Sequence, residues 1–530
     1  MKLQFFILFQ LCFISVSGQP PILWQKTYGG SSNDALYEID ININENGYYI
    51  GGVSGSDISG DKNQNSRGGN DCWVLSLNNT GQILWQKTLG GNLDDGIRSL
   101  CKTNDGGVII GGGSTSDISG EKSENCRGFA DYWIIKLDAN GNIDWQRTIG
   151  GSSSDGLRSI RQTADNGYII GGLSQSSISG EKSENARGIF PSYDYWILKL
   201  DAQGNIEWQK TYGGDDLDDL IAIRQTTDLG YILAGNSMSG ANYDKTENSR
   251  GSEDYWILKL DANGEIMWQR TFGGSDYDNV TDIIQSNENG FYVGGFSFSG
   301  ISGDKTSANY GIADFWLLKL DSSGNIIWQK TIGGNEGDYL YSIYENLDHS
   351  VIAGGYSESG ISGDKTENSR GSTDMWLVKL NESGDIIWQK TIGGNLADGI
   401  RCVKKTSQNE YVLGGFSRSS ISGEKSENCR GETDYWIVKL ADENLSVFNN
   451  AVQNSIVVYP TLTTGEVSIM LNKSLSIHSV LLTDYLGKTL EFKKGFLNKI
   501  TISGESGLYI LTIIATNGEK QTFKIVKINQ

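Results

Sequence analysis

The sequence is poor in histidine, proline and cysteine. Its two histidines in 530 residues, His349 and His478, leave no basis for a histidine-based metal site or a Ser-His-Asp triad. Four prolines against 69 glycines fit short hairpin turns rather than a disordered, proline-rich chain. Five of the six cysteines lie beyond Cys12, and this odd number favours free thiols over a complete disulfide framework. The alternative to free thiols is that disulfide bridges form between cysteines of the same repeat.

Basic residues and long apolar segments are also scarce. The net charge is −20, so we expect no nucleic-acid partner and no attraction to anionic membranes. Apart from residues 5–16, no segment approaches the 18 apolar residues of a membrane span. That run follows Lys2 and precedes Ser17 and Gly18, which predicts a signal peptide over residues 1–18. We therefore expect a protein that is secreted or lies on the outer cell surface, with no transmembrane segment.

Tryptophan marks a repeat of about 60 residues that recurs seven times. Each of the 14 tryptophans either begins WQKT or WQRT or follows an aspartate by two positions. The first group is Trp24, Trp85, Trp145, Trp208, Trp268, Trp328 and Trp388; the second is Trp73, Trp133, Trp196, Trp256, Trp316, Trp376 and Trp436. Repeats of this period indicate a solenoid, a propeller or an array. Because their neighbours are apolar, we expect the tryptophans to pack in the core.

Each repeat contains four β-like runs, which we name A to D. In the third repeat they are residues 157–162, 168–173, 195–200 and 206–211. The turns are residues 164–167 and 201–204, and Asn-Gly and Asp-Gly pairs suit turn positions that need positive φ. Both faces of the strands carry apolar residues, as expected for sheets packed face to face around a ring. Four-stranded units in this number are typical of a β-propeller.

The two ends of the array favour a ring. The chain enters at a D strand, residues 22–27, and the seventh repeat ends at a C strand, residues 435–440. The first strand can therefore complete the last sheet, which leaves no open edges. The prediction is an all-β chain with a seven-bladed β-propeller over residues 22–440, closed by the N-terminal strand. A linker over residues 441–454 and a small C-terminal β-sandwich over residues 455–530 follow.

Two resemblances are visible. The pattern D-x-W-x-x-K-L-D-x-x-G-x-I-x-W-Q-K-T-x-G-G-x-x-x-D resembles the SBBP-type β-propeller repeats of secreted bacterial proteins. The tail is similar to the type A C-terminal sorting domain of type IX secretion in Bacteroidetes. The matching segments are residues 458–460, 465–467, 484–488, 507–509 and 524–527; Thr461-Leu462 departs from the usual Y-P-N-P. This resemblance implies export through the type IX secretion machinery.

Candidate binding residues lie in the long B–C loop, Ser-Gly-(Asp/Glu)-Lys-x-Glu-Asn-x-Arg-Gly. Long loops in compact domains are usually functional or disordered. The tentative ligand-binding residues are Lys122, Arg127, Lys182, Arg187, Lys245, Arg250, Lys365, Arg370, Lys425 and Arg430. Seven copies at one end of the ring would bind a repeating glycan with avidity. The alternative is that each arginine pairs with a neighbouring acid and fixes the loop.

The D–A loop, Gly-Gly-x-x-x-Asp, lies at the same end. Its structural or loop aspartates are Asp34, Asp95, Asp155, Asp218, Asp278, Asp338 and Asp398. We expect them to accept hydrogen bonds from backbone N–H groups. Calcium is an alternative with weaker support, because no copy has the D-x-D-x-D-G spacing. We predict no cofactor and no catalytic residues.

These observations favour a secreted or cell-surface protein that is not an enzyme, a monomer that binds a glycan or another extracellular polymer. Two alternatives stay open. One is a glycoside-active enzyme with paired acids near the central channel. The other is a purely structural surface protein.

Overall fold

The structure is a computed structural model that describes residues 19–42, 47–188 and 191–441, and in the tail 456–459, 462–463, 466–471, 477–484, 488–490, 492–494, 499–502, 505–515 and 520–527. These residues form strands and turns, without a helix. Within them no helix has the length and apolarity that a membrane span requires. The predicted signal peptide and most of the predicted linker lie outside the described residues. The chain divides into two compact units, one up to Asn444 and one from Leu445.

The strands of the first unit follow the predicted order. The A strands are β2 (Asp34–Ile41), β6 (Asp95–Lys102), β10 (Asp155–Gln162), β14 (Asp218–Gln225), β18 (Asp278–Gln285), β22 (Asp338–Glu345) and β26 (Asp398–Lys405). The B strands are β3 (Gly47–Ser54), β7 (Val108–Ser114), β11 (Tyr168–Ser174), β15 (Tyr231–Ser237), β19 (Phe291–Ser297), β23 (Val351–Ser357) and β27 (Tyr411–Ser417). The C strands are β4 (Asp71–Asn78), β8 (Asp131–Leu137), β12 (Asp194–Leu200), β16 (Asp254–Leu260), β20 (Asp314–Leu320), β24 (Asp374–Leu380) and β28 (Asp434–Leu440). The D strands are β1 (Ile22–Tyr28), β5 (Ile83–Leu89), β9 (Ile143–Ile149), β13 (Ile206–Tyr212), β17 (Ile266–Phe272), β21 (Ile326–Ile332) and β25 (Ile386–Ile392).

These strands form seven four-stranded antiparallel sheets within the described residues. Six sheets consist of consecutive A, B, C and D strands, and the seventh has the order β1-β28-β27-β26. Each A strand packs against the sheet before it, and β2 packs against β26 and β27. The prediction of an all-β chain with repeated four-stranded sheets is confirmed, and the sheets resemble propeller blades.

The tryptophans occupy two environments. The C-strand tryptophans, such as Trp196, are buried, and each indole N–H donates to the glutamine of the neighbouring WQKT segment. The D-strand tryptophans are half-buried apart from Trp388, which is buried. Trp85 donates from its indole to the backbone carbonyl of Ala139 in the next repeat. The C-strand group therefore supplies the core between sheets, as predicted, whereas the D-strand group packs on the turns of the adjacent sheet.

The second unit contains two four-stranded sheets. One has the order β29-β31-β34-β33 and the other β30-β36-β35-β32. Their strands are β29 (Ile456–Tyr459), β30 (Leu462–Thr463), β31 (Glu466–Leu471), β32 (Ile477–Asp484), β33 (Phe492–Lys494), β34 (Lys499–Ile502), β35 (Gly507–Ala515) and β36 (Lys520–Lys527). Val467 and Ile500 from one sheet and Leu482 and Leu511 from the other share one buried cluster.

Candidate ligand-binding site

Every A strand of the repeats carries a β-bulge at its fourth residue. In β10, Leu157 pairs with Gly172 and Ser159 pairs with Gly171, so that Arg158 is the extra residue. The same shift occurs in the other six A strands. A Cβ atom at Gly172 would lie 2.1 Å from the carbonyl oxygen of Gly156, so the bulge requires glycine opposite it. A bulge interrupts the alternation of a strand and redirects its side chains.

As a result, two consecutive residues of each A strand line one cavity of about 630 Å³. This volume is within the ordinary range for small-molecule sites, roughly 300–1,000 Å³. The bulge residues are Tyr37, Arg98, Arg158, Ile221, Thr281, Tyr341 and Arg401, and those after them are Glu38, Ser99, Ser159, Ala222, Asp282, Ser342 and Cys402.

The repeats differ from one another at these cavity positions. The first residue of every A strand is aspartate, and the third and sixth are apolar in all seven. The bulge position, by contrast, holds three arginines, two tyrosines, an isoleucine and a threonine. A position that served the scaffold alone would be expected to repeat like its neighbours. The cavity is therefore where this repetitive chain acquires a unique set of side chains.

Positive charge dominates the cavity lining. Six cations face four acids, an excess of two positive charges in a protein whose net charge is −20. The cations are Arg98, Arg158, Arg161, Arg224, Arg401 and Lys404, and the acids are Glu38, Asp219, Glu253 and Asp282. Fields in a low-dielectric cleft are focused, so this lining attracts anions despite the overall charge.

Near the A–B turns, the cations are paired. Arg161 Nη2 lies 2.7 Å from Glu38 Oε1, and Glu38 also accepts hydrogen bonds from the Ser99 hydroxyl and the Leu100 amide. Burial alone would raise the pKa of Glu38, but Arg161, Lys404 and the Leu100 amide together hold it below its usual value. This end of the cavity is an internally satisfied ionic network.

Two further pairs lie on neighbouring A strands. Arg224 Nη2 is 2.7 Å from Asp282 Oδ1. Arg158 binds Asp219 in a bidentate manner, with Nε–Oδ1 and Nη2–Oδ2 distances of 3.1 and 2.9 Å. Bidentate pairs of this kind are geometrically specific and strong. These arginines are therefore already matched by acids of the protein.

Arg98 and Arg401 are different, because neither forms an ion pair with an acid among the described residues. The Arg98 guanidinium lies 4.4 Å from the ring centroid of Tyr37, and that of Arg401 lies 4.2 Å from the ring of Tyr341. Burial lowers the pKa of Arg98, and the nearby charges of Arg158 and Arg401 act in the same direction. A partly desolvated cluster of like charges is unfavourable by itself and favours an anion between its members.

Glu253 adds a titratable acid to the cavity. Burial and the nearby charge of Asp219 raise the pKa of Glu253 to about 7. At neutral pH a large fraction of Glu253 is therefore protonated, which increases the excess of positive charge. Carboxyl groups with pKa values near 7 are also those suited to general acid–base catalysis.

The predicted loop lysines point inward. Lys122, Lys182, Lys245, Lys365 and Lys425 are each 2% exposed. Lys182 Nζ, for example, donates to the Thr211 hydroxyl at 2.6 Å and lies 5.0 Å from the ring of Trp196. Burial lowers the pKa of Lys182 to about 8. Because these side chains do not reach solvent, their geometry favours a structural role over ligand contact.

The predicted loop arginines join adjacent sheets. Arg187 Nε lies 2.7 Å from Asp244 Oδ2, in the B–C loop of the following repeat. The other four make the equivalent bond: Arg127–Glu181, Arg250–Asp304, Arg370–Glu424 and Arg430–Asp61. In the fifth repeat Tyr310 replaces the arginine. This arrangement corresponds to the alternative interpretation, in which each arginine pairs with an acid and fixes the loop.

The D–A aspartates are buried and accept hydrogen bonds. Asp155 Oδ2 accepts from the Gly151 amide at 2.7 Å and from the Ser176 hydroxyl at 2.9 Å. The other six, Asp34, Asp95, Asp218, Asp278, Asp338 and Asp398, make the same two contacts. Within the described residues, no three His, Cys, Asp or Glu side chains cluster as metal ligands. Cys72, Cys101, Cys126, Cys402 and Cys429 are free thiols.

The cavity residues were not among the site residues predicted from the sequence. A regular strand alternates its faces, so Arg158 and Ser159 were not expected to line the same cavity. The available signal was the departure from the repeat. The A strands keep aspartate at the first position and apolar residues at the third and sixth, whereas the fourth varies from arginine to threonine.

Comparisons with known proteins do not assign the chain to a family. No family model matches the chain. It is 24% identical over 231 residues to the regulatory protein FlaEY of Caulobacter vibrioides, covering 42% of this chain and 24% of that protein. The chain thus spans about a quarter of the length of this relative. Hydrazine synthase of Kuenenia stuttgartiensis is a similar solved structure, with a TM-score of 0.44, 8% identity, and coverage of 72% of this chain and 93% of that one.

Two other similar structures are enzymes. A gluconolactonase of Xanthomonas campestris has a TM-score of 0.33 and 8% identity, covering 78% of this chain and 97% of that one. A Synechocystis apocarotenoid oxygenase has a TM-score of 0.38 and 10% identity, covering 76% and 89%. These are β-propeller-type folds, and they contradict the prediction that the protein is not an enzyme. That prediction assumed that near-identical repeats lack a unique constellation, which the variable cavity residues supply. At this level of similarity no particular reaction is indicated.

Proposed function

We propose that the seven sheets form a closed seven-bladed β-propeller whose central channel is the arginine-rich cavity. The pairing of β1 with β28 supports closure, as does the bond from Arg430 in the seventh repeat to Asp61 in the first. The lining of one cavity by all seven A strands supports it as well. For the second unit, we propose a β-sandwich, because its two sheets share one buried cluster.

The function that this geometry supports best is the binding of an anionic ligand, such as a segment of an acidic extracellular polymer, in the channel. The observation that carries the proposal is the pair Arg98 and Arg401, which have no acidic partner among the described residues, whereas the other channel arginines have one. A charge-assisted hydrogen bond contributes about 1.5–3 kcal/mol, roughly a ten- to hundredfold change in affinity. The proposed binding site is therefore the channel and not the B–C loops that the sequence predicted.

The test is calorimetric titration with oligogalacturonate, poly-L-glutamate and neutral cello-oligosaccharides at low and high salt. The two acidic probes should bind, more weakly at high salt, and the neutral probe should not. Arg98→Gln and Arg401→Gln should each weaken binding about tenfold or more. The matched controls are Arg147→Gln and Arg270→Gln, D-strand arginines whose guanidinium groups contact backbone carbonyls. Equal binding by all variants, or no binding of either anion, would refute the proposal.

Hydrolysis of a bound glycoside is a second candidate function. It is favoured by Glu253, whose raised pKa suits a general acid and which shares the channel with Asp219. Release of reducing ends from an acidic polysaccharide should then disappear in Glu253→Gln while binding persists. Binding without product release in the unchanged protein would exclude this activity and leave the binding proposal intact.

We also propose that the protein is exported by type IX secretion to the cell surface or the medium. The resemblance of residues 458–527 to type A sorting domains supports this, together with the signal-like residues 1–18. Fractionation of a type IX-competent bacterium that expresses the full chain tests it. A chain truncated after residue 444 should accumulate in the periplasm, and its normal export would contradict the proposal.

A further inference from the structure

Six aromatic side chains form one continuous cluster beside the channel arginines. Phe296 packs against Tyr339 with ring centroids 5.0 Å apart, and Tyr339 packs against Tyr356 at 5.1 Å. Tyr341 stacks on Tyr356 at 5.5 Å with an interplanar angle of 23°. Phe298 and Phe416 extend the cluster at its two ends, each within 6.5 Å of a member ring. We call these six residues the aromatic wall.

The aromatic wall is confined to three adjacent sheets, the fifth to the seventh. At the position of Phe296, Tyr356 and Phe416, the first four repeats carry Val53, Gly113, Leu173 and Asn236. At the position of Tyr339 they carry Ala35, Gly96, Gly156 and Asp219. The scaffold therefore folds without aromatic residues at these positions. A Cβ atom at Gly113 would have no atom within 4 Å, so the second sheet leaves open space there.

All six members of the wall are half-buried rather than enclosed. Aromatic residues that serve the core of this protein, such as Tyr195 and Tyr255, are completely buried. Three consecutive sheets thus present a partly open aromatic surface, and Phe296 and Tyr341 belong to the channel lining itself. Exposed aromatic surface beside a cavity is typical of a ligand site, because ordinary packing would cover it.

Arg401 connects the wall to the cationic cluster. Its guanidinium lies 4.2 Å from the ring centroid of Tyr341 and 5.5 Å from that of Phe416. The same group lacks an acidic partner among the described residues. A ligand that pairs with Arg401 is therefore held with its neighbouring atoms over aromatic rings. The site combines an anion contact with a flat apolar contact at adjacent points.

We propose that the aromatic wall is a stacking subsite for the ring of an acidic sugar residue whose carboxylate pairs with Arg401. A pyranose offers a flat C–H face to aromatic rings, and a hexuronate carries its carboxylate at the edge of that ring. A polyanion without sugar rings can pair with the arginines but leaves the aromatic wall uncovered. This inference rests on the proposed anion-binding function and narrows its ligand to acidic glycans.

The experiment compares oligogalacturonate with poly-L-glutamate, which carries repeated carboxylates without sugar rings. The unchanged protein should prefer the hexuronate by about three- to tenfold, the range that aromatic contacts supply. Tyr356→Leu and Phe416→Leu keep an apolar side chain and should remove this preference without changing poly-L-glutamate binding. Saturation-transfer NMR should show the ring protons of the sugar receiving magnetisation from the protein, and less so in the variants.

The control is Phe129→Leu, which changes a loop aromatic that is 80% exposed and belongs to neither the wall nor the channel lining. Equal affinity for the two polymers, unaltered by the wall variants, would overturn the stacking subsite and leave the anion-binding proposal standing. If neither polymer binds, or if Arg98→Gln and Arg401→Gln have no effect, the proposed function itself fails. Thermal unfolding of each variant separates a lost contact from a damaged fold.

Discussion

Arg430 in the seventh repeat lies 3.1 Å, Nη2 to Oδ2, from Asp61 in the first, and its Nη1 donates to the backbone carbonyl of Thr27 at 2.9 Å. One side chain thus joins the first strand, the first B–C loop and the last sheet. The equivalent Arg187–Asp244 pair joins the third and fourth repeats, which are also connected through the chain. The two pairs therefore have similar geometry but connect different parts of the array.

The first prediction concerns the proposed closure of the ring. Arg430→Ala should lower the free energy of unfolding by about 1–2 kcal/mol, since it removes a partly buried ion pair and a hydrogen bond to a carbonyl. Arg187→Ala is the matched control within the array. Urea unfolding with tryptophan fluorescence measures both, and proteolysis should release β1 earlier in Arg430→Ala alone. Equal protease sensitivity at β1 in the two variants would argue against a closing role.

A second prediction concerns the ionic network inside the cavity. Glu38 is buried and bound by Arg161, the Ser99 hydroxyl and the Leu100 amide. Glu38→Ala should destabilise the protein by about 3–5 kcal/mol, because Arg161, whose side chain is only 18% exposed, is left without its partner. Asp144→Ala is the control, since Asp144 is 44% exposed in its pair with Lys136. Chemical unfolding measures both, and a loss below about 1 kcal/mol for Glu38→Ala would mean that water replaces the carboxylate.

The fold was largely predictable from the sequence because its signals are repeated. Tryptophan spacing and the Asn-Gly and Asp-Gly turn signals located the four strands, and the predicted third repeat agrees with β10 to β13 within two residues at each end. The A and C strands, β10 and β12, begin earlier than predicted. Asp155 and Asp194 begin their strands because each is held by a backbone amide, from Gly151 and Arg187 respectively. Pattern alone does not reveal such capping contacts.

The candidate site was not predictable in the same way. The B–C loops attracted attention because they are long and charged, yet Lys182 folds back beneath Trp196. Its burial depends on the Thr211 hydroxyl of another strand, a contact that sequence spacing does not encode. The cavity residues could not be recognised from strand alternation, because the bulge places Arg158 and Ser159 on the same face of the strand. A search for positions that break an otherwise strict repeat would have identified them.

The third prediction tests whether the ligand binds at the B–C loops or in the arginine-rich cavity. Lys182→Met should leave the affinity for oligogalacturonate unchanged but lower stability by about 1–3 kcal/mol, because the buried Thr211 hydroxyl loses its hydrogen-bond donor. Lys210→Met, a D-strand lysine in a partly exposed pair with Glu265, is the control for stability. Titration calorimetry and thermal unfolding measure the two effects. A large loss of affinity with unchanged stability would restore the loops as the binding site.

The fourth prediction is an unusual dependence of stability on pH. Burial raises the pKa of the C-strand aspartates, to about 6 for Asp131 and Asp254 and about 7 for Asp194. An unfolded aspartate titrates near pH 4, so between about pH 4 and 7 the folded state binds more protons than the unfolded state. The free energy of unfolding should therefore fall as the pH rises through this window.

Urea unfolding at pH 5 and pH 7 measures this effect, and the midpoint should be higher at pH 5. Asp194→Asn should reduce the difference, because asparagine is neutral at both pH values. The control is Asp201→Asn in a C–D turn, where Asn381 of the sixth repeat already accepts the equivalent hydrogen bond from Asp385. Hydrogen bonds from Asn205 within the turn lower the pKa of Asp201, the opposite direction to Asp194. A midpoint that rises from pH 5 to pH 7 would show that Lys182 and its counterparts keep these aspartates ionised, since a nearby buried cation favours the charged carboxylate.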